Sequence, residues 1–597
     1  MGFPLILLLK FLAPMHCQSY RLVKIVALFW FLLLIFQIGG FDVKAQTAIL
    51  SGKDIFRPEI ANQGMFVGSE PIASEIALEV LKNGGNAIDA AVTAGFVMAV
   101  TFPRAGNIGG GGFMLVYLAK EKKVVAIDYR EKAPRSATKN MFLDDLGNVD
   151  STRSRFSHLS AGVPGTVAGL ALALKKYGTL SLSQALAPAI KLAEKGMLVD
   201  EDFSDSLKQR AKSLKKWKAS KKIFFGSNDK VPEPGERFFQ KDLANTLQDI
   251  SDHGVNSFYK GKTAKLITRE MKKHGGLINA RDLAEYRPTI RKPVSGMYRG
   301  FEIFSMSPPS SGGVHIIQIL NILEGFNIKE KGHNSAATIH LMVEAMKRAY
   351  ADRSKYLGDT DFVQVPLKGL TSKKYAAALG TDIRKGITMS PKISPGEPVI
   401  YESPETTHFS VVDRFGNAVS NTYTLNFSFG SGIVVDGAGF LLNNEMDDFS
   451  AKPGVPNAYG LIGGAANAIE PEKRMLSSMS PTIVIKENKP LLVTGSPGGS
   501  RIITTVLQVI MNVIDHQMNI QEAVNAPRIH HQWFPDEIRV EKGINKDTFN
   551  LLQKMGYQIA EKNSMGAAAS ILIDSKNRQL HGAADPRRRG KAMGYSH

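Results

Sequence analysis

The stretch Glu405-Thr406-Thr407-His408-Phe409-Ser410-Val411-Val412-Asp413 (405–413) decides how this chain is read. Before it, Ser394-Pro395-Gly396-Glu397-Pro398 and Ser403-Pro404 disfavour helix, because a proline restrains both itself and the residue ahead of it. From Thr407 onward the pattern has period two: Thr407, Phe409 and Val411 alternate with His408, Ser410 and Val412. Asp413 to Asn417 form a turn, and Ala418 to Asn426 return as a second strand. A turn-rich segment thus delivers Thr406 to the start of a core strand.

Downstream, Thr482 to Lys486 with Pro490 to Thr494 form a second hairpin, followed by Gly495-Ser496-Pro497-Gly498-Gly499-Ser500 and a helix from Arg501 to Ile514. Ala569 to Ile573 with Arg578 to His581 make a third hairpin. Upstream, Ser74 to Val100 has helical periodicity with a break at Asn83-Gly84-Gly85. A glycine-rich loop, Gly106 to Gly112, leads into a strand from Phe113 to Tyr117, and Val124 to Tyr129 form another with Arg130 at its end. Val163-Pro164-Gly165 opens a helix to Tyr177, and Asp200 to about Tyr286 reads as mainly helical. A helix-rich first part therefore precedes a strand-rich second part. Strands must bury at least one face, so the order of elements predicts an α/β (α+β) fold of two packed sheets covered by helices, an αββα sandwich.

Of the 597 residues, 43% are hydrophobic and 22% charged, a globular composition that excludes large-scale disorder. Arg21 and Lys24 precede an apolar run from Ile25 to Phe36, and Val43-Lys44-Ala45 supplies small residues for signal-peptidase cleavage. Residues 1–45 read as a cleaved signal peptide, with a retained N-terminal membrane anchor as the alternative. The run is shorter than the roughly 20 residues of a spanning helix. The single cysteine, Cys17, lies in this segment, so the mature chain lacks thiol chemistry. That suits a periplasmic or secreted bacterial protein. The formal charge of +19 raises a nucleic-acid reading, but the Lys-rich stretch from Lys208 to Lys222 and the tail Arg587-Arg588-Arg589 read as solvated faces, and no nucleic-acid motif accompanies them.

A threonine hydroxyl needs a base to act as a nucleophile, and one solution is the threonine's own α-amine, freed when the preceding peptide bond is cut. Tandem threonines at a strand start are otherwise ordinary β-formers. Gly498-Gly499 lies between a strand and a helix, where backbone N–H groups can hold an anion; the bland reading is a tight turn. The absence of Gly-Lys-Ser/Thr argues against a phosphate loop, and Gly109 to Gly112 read as a structural loop. Asn443 to Asp448 and Ser477-Ser478 offer acidic and hydroxyl groups, and Arg130 a carboxylate partner. The acidic cluster lacks calcium-loop spacing, and His530-His531 lacks a zinc pattern. His408 reads as structural.

Taken together these segments resemble the γ-glutamyltranspeptidase family of threonine N-terminal-nucleophile hydrolases. The matching stretches are NIGGGGFM (107–114), DYREKAP (128–134), ETTHFSVVD (405–413), NTYTLNFSFGSG (421–432), LLNNEMDDFS (441–450), PGVPNAYGLIGG (453–464), SSMSPT (477–482), TGSPGGSRI (494–502) and DPRR (585–588). The resemblance implies the αββα fold and autocleavage between Glu405 and Thr406, giving a large subunit, 46–405, and a small subunit, 406–597, that stay together as a heterodimer. Thr406 would be the nucleophile, Thr424 would hydrogen-bond it, and Gly498 and Gly499 would form the oxyanion hole. Arg130, Ser477 and Ser478 would hold the substrate α-carboxylate. Asn426, Glu445 and Asp448 would surround the α-amine, with Tyr459 of the 451–464 lid over Asn426. The implied donors are glutathione and other γ-glutamyl compounds, the acceptors water, amino acids or dipeptides, with no metal or organic cofactor. Position 445 is Glu where some bacterial members carry Gln. The rival reading within enzymes is a cephalosporin acylase, whose glutaryl donors lack the α-amine; an inactive surface-binding protein is the rival outside enzymes.

Overall fold

Strand His408–Val412 runs inside a seven-stranded antiparallel sheet, paired on one side with Gly64–Gly68 and on the other with Ala418–Thr424. The computed structural model describes residues 55–384, 386–397 and 408–597. The order of this sheet is Lys591–Tyr595, Gly64–Gly68, His408–Val412, Ala418–Thr424, Gly111–Leu118, Lys123–Asp128 and Thr289–Arg291. A second seven-stranded sheet has the order Glu59–Ala61, Gln579–Ala584, Ala569–Asp574, Lys489–Thr494, Thr482–Lys486, Phe301–Ser305 and Val294–Tyr298.

Side-chain parity along the strands shows how these sheets are layered. Phe66, Met114, Val116, Phe409 and Val411 pack against the helices Ala87–Thr101, Thr166–Tyr177 and Leu182–Lys195. Their neighbours Met65, Val67, Phe113, Leu115 and Val412 face the other way and meet Ile483, Ile485, Val493 and Ile571 of the second sheet. On that sheet's far side, Val484 and Leu492 pack against the helices Gly312–Glu324, Ala336–Tyr356 and Arg501–Ile514. Period-two alternation on both sheets thus produces helix, sheet, sheet, helix. Each fully buried Val, Leu, Ile or Phe contributes roughly 1.5–3 kcal/mol to that arrangement.

The three predicted hairpins form with their predicted partners, and helix Arg501–Ile514 has the predicted ends. The division into a helix-rich first part and a strand-rich second part needs correction. Gly64–Gly68, Gly111–Leu118, Lys123–Asp128 and Thr289–Arg291 give the first sheet four of its strands from the N-terminal side, and they interleave with the C-terminal ones. Residues 1–54, which contain the proposed signal peptide or anchor, lie outside the described residues. Among the described residues no helix is long and apolar enough to cross a membrane.

The glycine-rich loop has the structural role expected of it. A Cβ on Gly110 would lie 1.9 Å from the carbonyl oxygen of Thr424, and one on Gly109 would lie 2.1 Å from that of Leu441. Gly110→Ala is expected to destabilise the fold by roughly 3 kcal/mol, because Thr424 and its strand must move. Urea unfolding measures this; an unchanged midpoint would mean that the loop tolerates the added carbon.

Candidate active site

At the end of strand His408–Val412 the layer between the sheets turns from apolar to polar. His408 is fully buried, with Nδ1 3.1 Å from Thr422 Oγ1 and Nε2 2.8 Å from Ser410 Oγ, and Ser410 donates to the Ala569 carbonyl. Ser420 donates to the Thr494 carbonyl, and the Thr482 N–H donates back to Ser420 Oγ. These short side chains join the two sheets where the strand begins. Burial drives the His408 pKa down to about 3, so the ring is neutral and structural, as expected. Glu405, Thr406 and Thr407 lie outside the described residues.

Thr424 ends the neighbouring strand. Its Oγ1 accepts the Asn426 N–H at 2.7 Å, which leaves the hydroxyl proton free to be donated elsewhere. Asn426 sits at φ +72°, a left-handed conformation that asparagine tolerates, and its Nδ2 donates to the Asn444 carbonyl. Tyr459 donates to Asn426 Oδ1 at 2.8 Å, the contact that the resemblance implies for the 451–464 loop. The tyrosine ring also meets Phe427 edge-on at 5.8 Å. A Cβ on Gly499 would lie 2.8 Å from the same ring, so the glycine is needed where the loop closes.

Arg130 follows the strand Lys123–Asp128 into the interior and is fully buried. Its Nη1 lies 2.6 Å from Glu445 Oε2, and its Nη2 lies 2.7 Å from Asp448 Oδ2. Glu131 adds a third buried carboxylate at 3.5 Å. Burial opposes the arginine's charge, but Glu445, Glu131 and Asp448 hold its pKa above the usual value. Burial also pushes Asp448 up to about 6 against the pull of Arg130. The Ser477 and Ser478 hydroxyls are buried, and neither has a hydrogen-bond partner among the described residues. Unpaired buried hydroxyls cost stability and call for a ligand or solvent. One buried cation, an excess of carboxylates and two spare hydroxyls are suited to both ends of a zwitterionic amino acid.

Gly498 and Gly499 connect strand Lys489–Thr494 to helix Arg501–Ile514, with φ +136° and +63°. Neither N–H donates to another group among the described residues. Two unpaired N–H groups beside a helix N-terminus can stabilise a developing oxyanion. Asn443 ties the acidic segment to the glycine-rich loop: its Nδ2 donates to the Gly109 and Gly162 carbonyls, and its Oδ1 accepts the Glu445 N–H.

Residues 73–595 match the family described as Gamma-glutamyltranspeptidase. The chain belongs to the γ-glutamyltranspeptidase family. It is 53% identical over 537 residues to a glutathione hydrolase proenzyme of Escherichia coli K12, covering 90% of this chain and 92% of that one. Among solved structures it resembles a cephalosporin acylase from Bacillus halodurans, with TM-score 0.80 and 28% identity over 93% of this chain and 99% of that chain. A Helicobacter pylori γ-glutamyltranspeptidase matches with TM-score 0.54 and 49% identity over 58% of this chain and 97% of that chain.

Beyond the residues to which the resemblance gives a role, the structure adds Glu131 and Asp447 to the buried acidic group. Asp447 is held by Ser154 Oγ at 2.7 Å and Arg155 Nε at 3.1 Å. The solvated-face reading of the tail is corrected. Arg587 pairs with Glu541 and Asp585, and Arg588 lines a cavity shared with Gly498 and Gly499. Arg210, inside the Lys-rich stretch, lines the same cavity, whereas Lys208, Lys215 and Lys221 make exposed ion pairs. Adjacent His530 and His531 bond separately, to Thr504 and Gln532 and to Asp536. His158, Glu270 and His274 also cluster, but the two imidazoles stack 4.6 Å apart at 14°, so one metal ion cannot lie in both ring planes. That cluster is a hydrogen-bonded brace.

If Asp448 holds an ammonium as the resemblance implies, it must be ionised to do so. Donor kcat/KM is expected to fall as pH drops through about 6, where this carboxylate takes up a proton. The matching limb in kcat should lie at lower pH, because the bound ammonium favours the carboxylate; coincident limbs would exclude Asp448 from this role. Tyr459→Phe removes the hydrogen bond to Asn426 and should raise donor KM about fivefold, a loss of about 1 kcal/mol, in steady-state kinetics.

Proposed function

We propose that the chain is the precursor of a γ-glutamyl hydrolase and transpeptidase that cuts itself between Glu405 and Thr406. The observation that carries this reading is the Arg130–Glu445–Asp448 ion cluster together with the buried Ser477 and Ser478 hydroxyls, which have no hydrogen-bond partner among the described residues. A glutamyl α-carboxylate takes Arg130 and the two serines, while its ammonium takes Asn426, Glu445 and Asp448. This clamp presents the γ-carbonyl to Thr406. A glutaryl donor would leave the carboxylates without a counter-charge, which disfavours the acylase reading despite the structural likeness.

In processing, Thr406 Oγ attacks the Glu405 carbonyl carbon and the acyl group moves from nitrogen to oxygen. Water then hydrolyses the ester, leaving Thr406 with a primary amine. The pieces are a large subunit, 46–405, and a small subunit, 406–597, held together as a heterodimer. In turnover that amine takes the proton of Thr406 Oγ as the oxygen attacks the γ-carbonyl. The Gly498 and Gly499 N–H groups receive the oxyanion, and Thr424 donates its hydroxyl proton to the nucleophile's oxygen. Collapse breaks the amide bond, and the leaving amine takes the proton back. Water or an amino acid or dipeptide amine then opens the γ-glutamyl ester. Glutathione is the donor that the E. coli relative's name supports. The N-terminal segment supports export to the periplasm or exterior.

Thr406→Ala should yield one uncut chain that does not hydrolyse γ-glutamyl amides. Intact-mass spectrometry and a γ-glutamyl hydrolysis assay report both outcomes. Normal cutting or activity in this variant would refute the assignment.

A further inference from the structure

The cavity at Gly498 and Gly499 has a volume of about 440 Å3 and is lined by four arginines, Arg104, Arg210, Arg501 and Arg588. Asn426 and Tyr459 also line it, but Arg130, Ser477 and Ser478 do not, so these cations are separate from the groups assigned to the glutamyl α-carboxylate. Arg104 is paired with Asp202 at 2.6 Å, and the Arg501 Nε donates to the Gly498 carbonyl at 3.1 Å. Arg210 differs from both: its Nε and Nη2 are buried with no hydrogen-bond partner among the described residues, and the guanidinium lies over the Phe156 ring at 5.6 Å. The Arg588 side chain makes no hydrogen bond or ion pair among the described residues. Burial and the nearby Arg104 push its pKa down to about 10, against Asp202 and Asp585. A guanidinium left buried and unpaired is costly, and a bidentate carboxylate is the ligand that best relieves it.

The position of this charge identifies what it would hold. On the γ-glutamyl reading Gly498 and Gly499 mark the reacting carbonyl, the glutamyl α-carboxylate is provided for outside this cavity, and the cavity is lined by both glycines. The group that departs from the carbonyl, or that attacks it, must lie there. We propose that Arg210 and Arg588, supported by Arg104 and Arg501, form a carboxylate subsite for the leaving group of the donor. The attacking amine follows the path of the departing one in reverse, so the same subsite serves the acceptor. The ligand class is α-amino acids and short peptides with a free C-terminal carboxylate. This rests on the γ-glutamyl reading and adds to it a preference for donors with a second carboxylate, on the leaving group.

The test uses the mature enzyme and two donors that differ only at that carboxylate, γ-glutamylglycine and γ-glutamylglycinamide. The wild type should favour the acid by about tenfold in kcat/KM, the value of one charge-assisted hydrogen bond, mainly through KM. Arg210→Gln should lose this preference while using the amide as the wild type does, and Arg210→Lys should restore part of it. Equal use of the two donors by the wild type would overturn the subsite without any variant, as would an equal loss on both donors in Arg210→Gln. Failure of the wild type to hydrolyse either donor would overturn the γ-glutamyl reading itself, and the subsite with it.

Discussion

The guanidinium of Arg130, buried between Glu445 and Asp448, is the interaction on which the rest of the site depends. Three carboxylates face one cation in a space closed to water, because Glu131 joins the other two. Removing such charges from solvent costs several kcal/mol per ion, so the cluster adds little to stability by itself. What it provides is a site short of positive charge and equipped with hydroxyl donors. An α-amino acid supplies both the ammonium that the carboxylates lack and the carboxylate that Arg130 and the serines can share. On the proposed reading, selection of an α-amino acid would rest on pairing each of its two charged ends with the opposite charge.

Each of the two sheets contributes one part of the candidate site. Arg130 comes from the end of one sheet's strand, while Gly498 and Gly499 come from the end of a strand in the other. The polar seam of His408, Ser410, Ser420 and Thr482 keeps the two sheets in register at that end. Asn443 fastens the acidic segment to the glycine-rich loop. Short side chains and glycines recur here because each contact brings backbone close to backbone.

Much of this was legible from the residues. The hairpin 408–424 announces itself by period two around a turn, and helix 501–514 by an apolar face after a glycine pair. Strands Thr289–Arg291 and Val294–Tyr298 gave no comparable signal, because they are short and placed by partners far away in sequence. The roles of Arg130, Glu445 and Asp448 came from the resemblance, since acidic clusters and lone arginines are ordinary surface features. Arg104, Arg210 and Arg588 stayed hidden for a related reason. Arg210 and Arg588 each sit in a basic run with an adequate solvent-facing explanation, Arg104 stands in no motif, and only folding brings the three to one cavity.

The interleaving of the first sheet bears on how the protein is made. Gly64–Gly68 lies between Lys591–Tyr595 and His408–Val412, so strands from before and after Thr406 alternate within one hydrogen-bonded ladder. Neither half could close this sheet by itself, and each alone would present bare strand edges that invite aggregation. Two separately synthesised halves would therefore be poor material for assembly, whereas a single polypeptide guarantees equal amounts and immediate proximity. Biosynthesis as one chain is the natural solution for a catalyst that works as two.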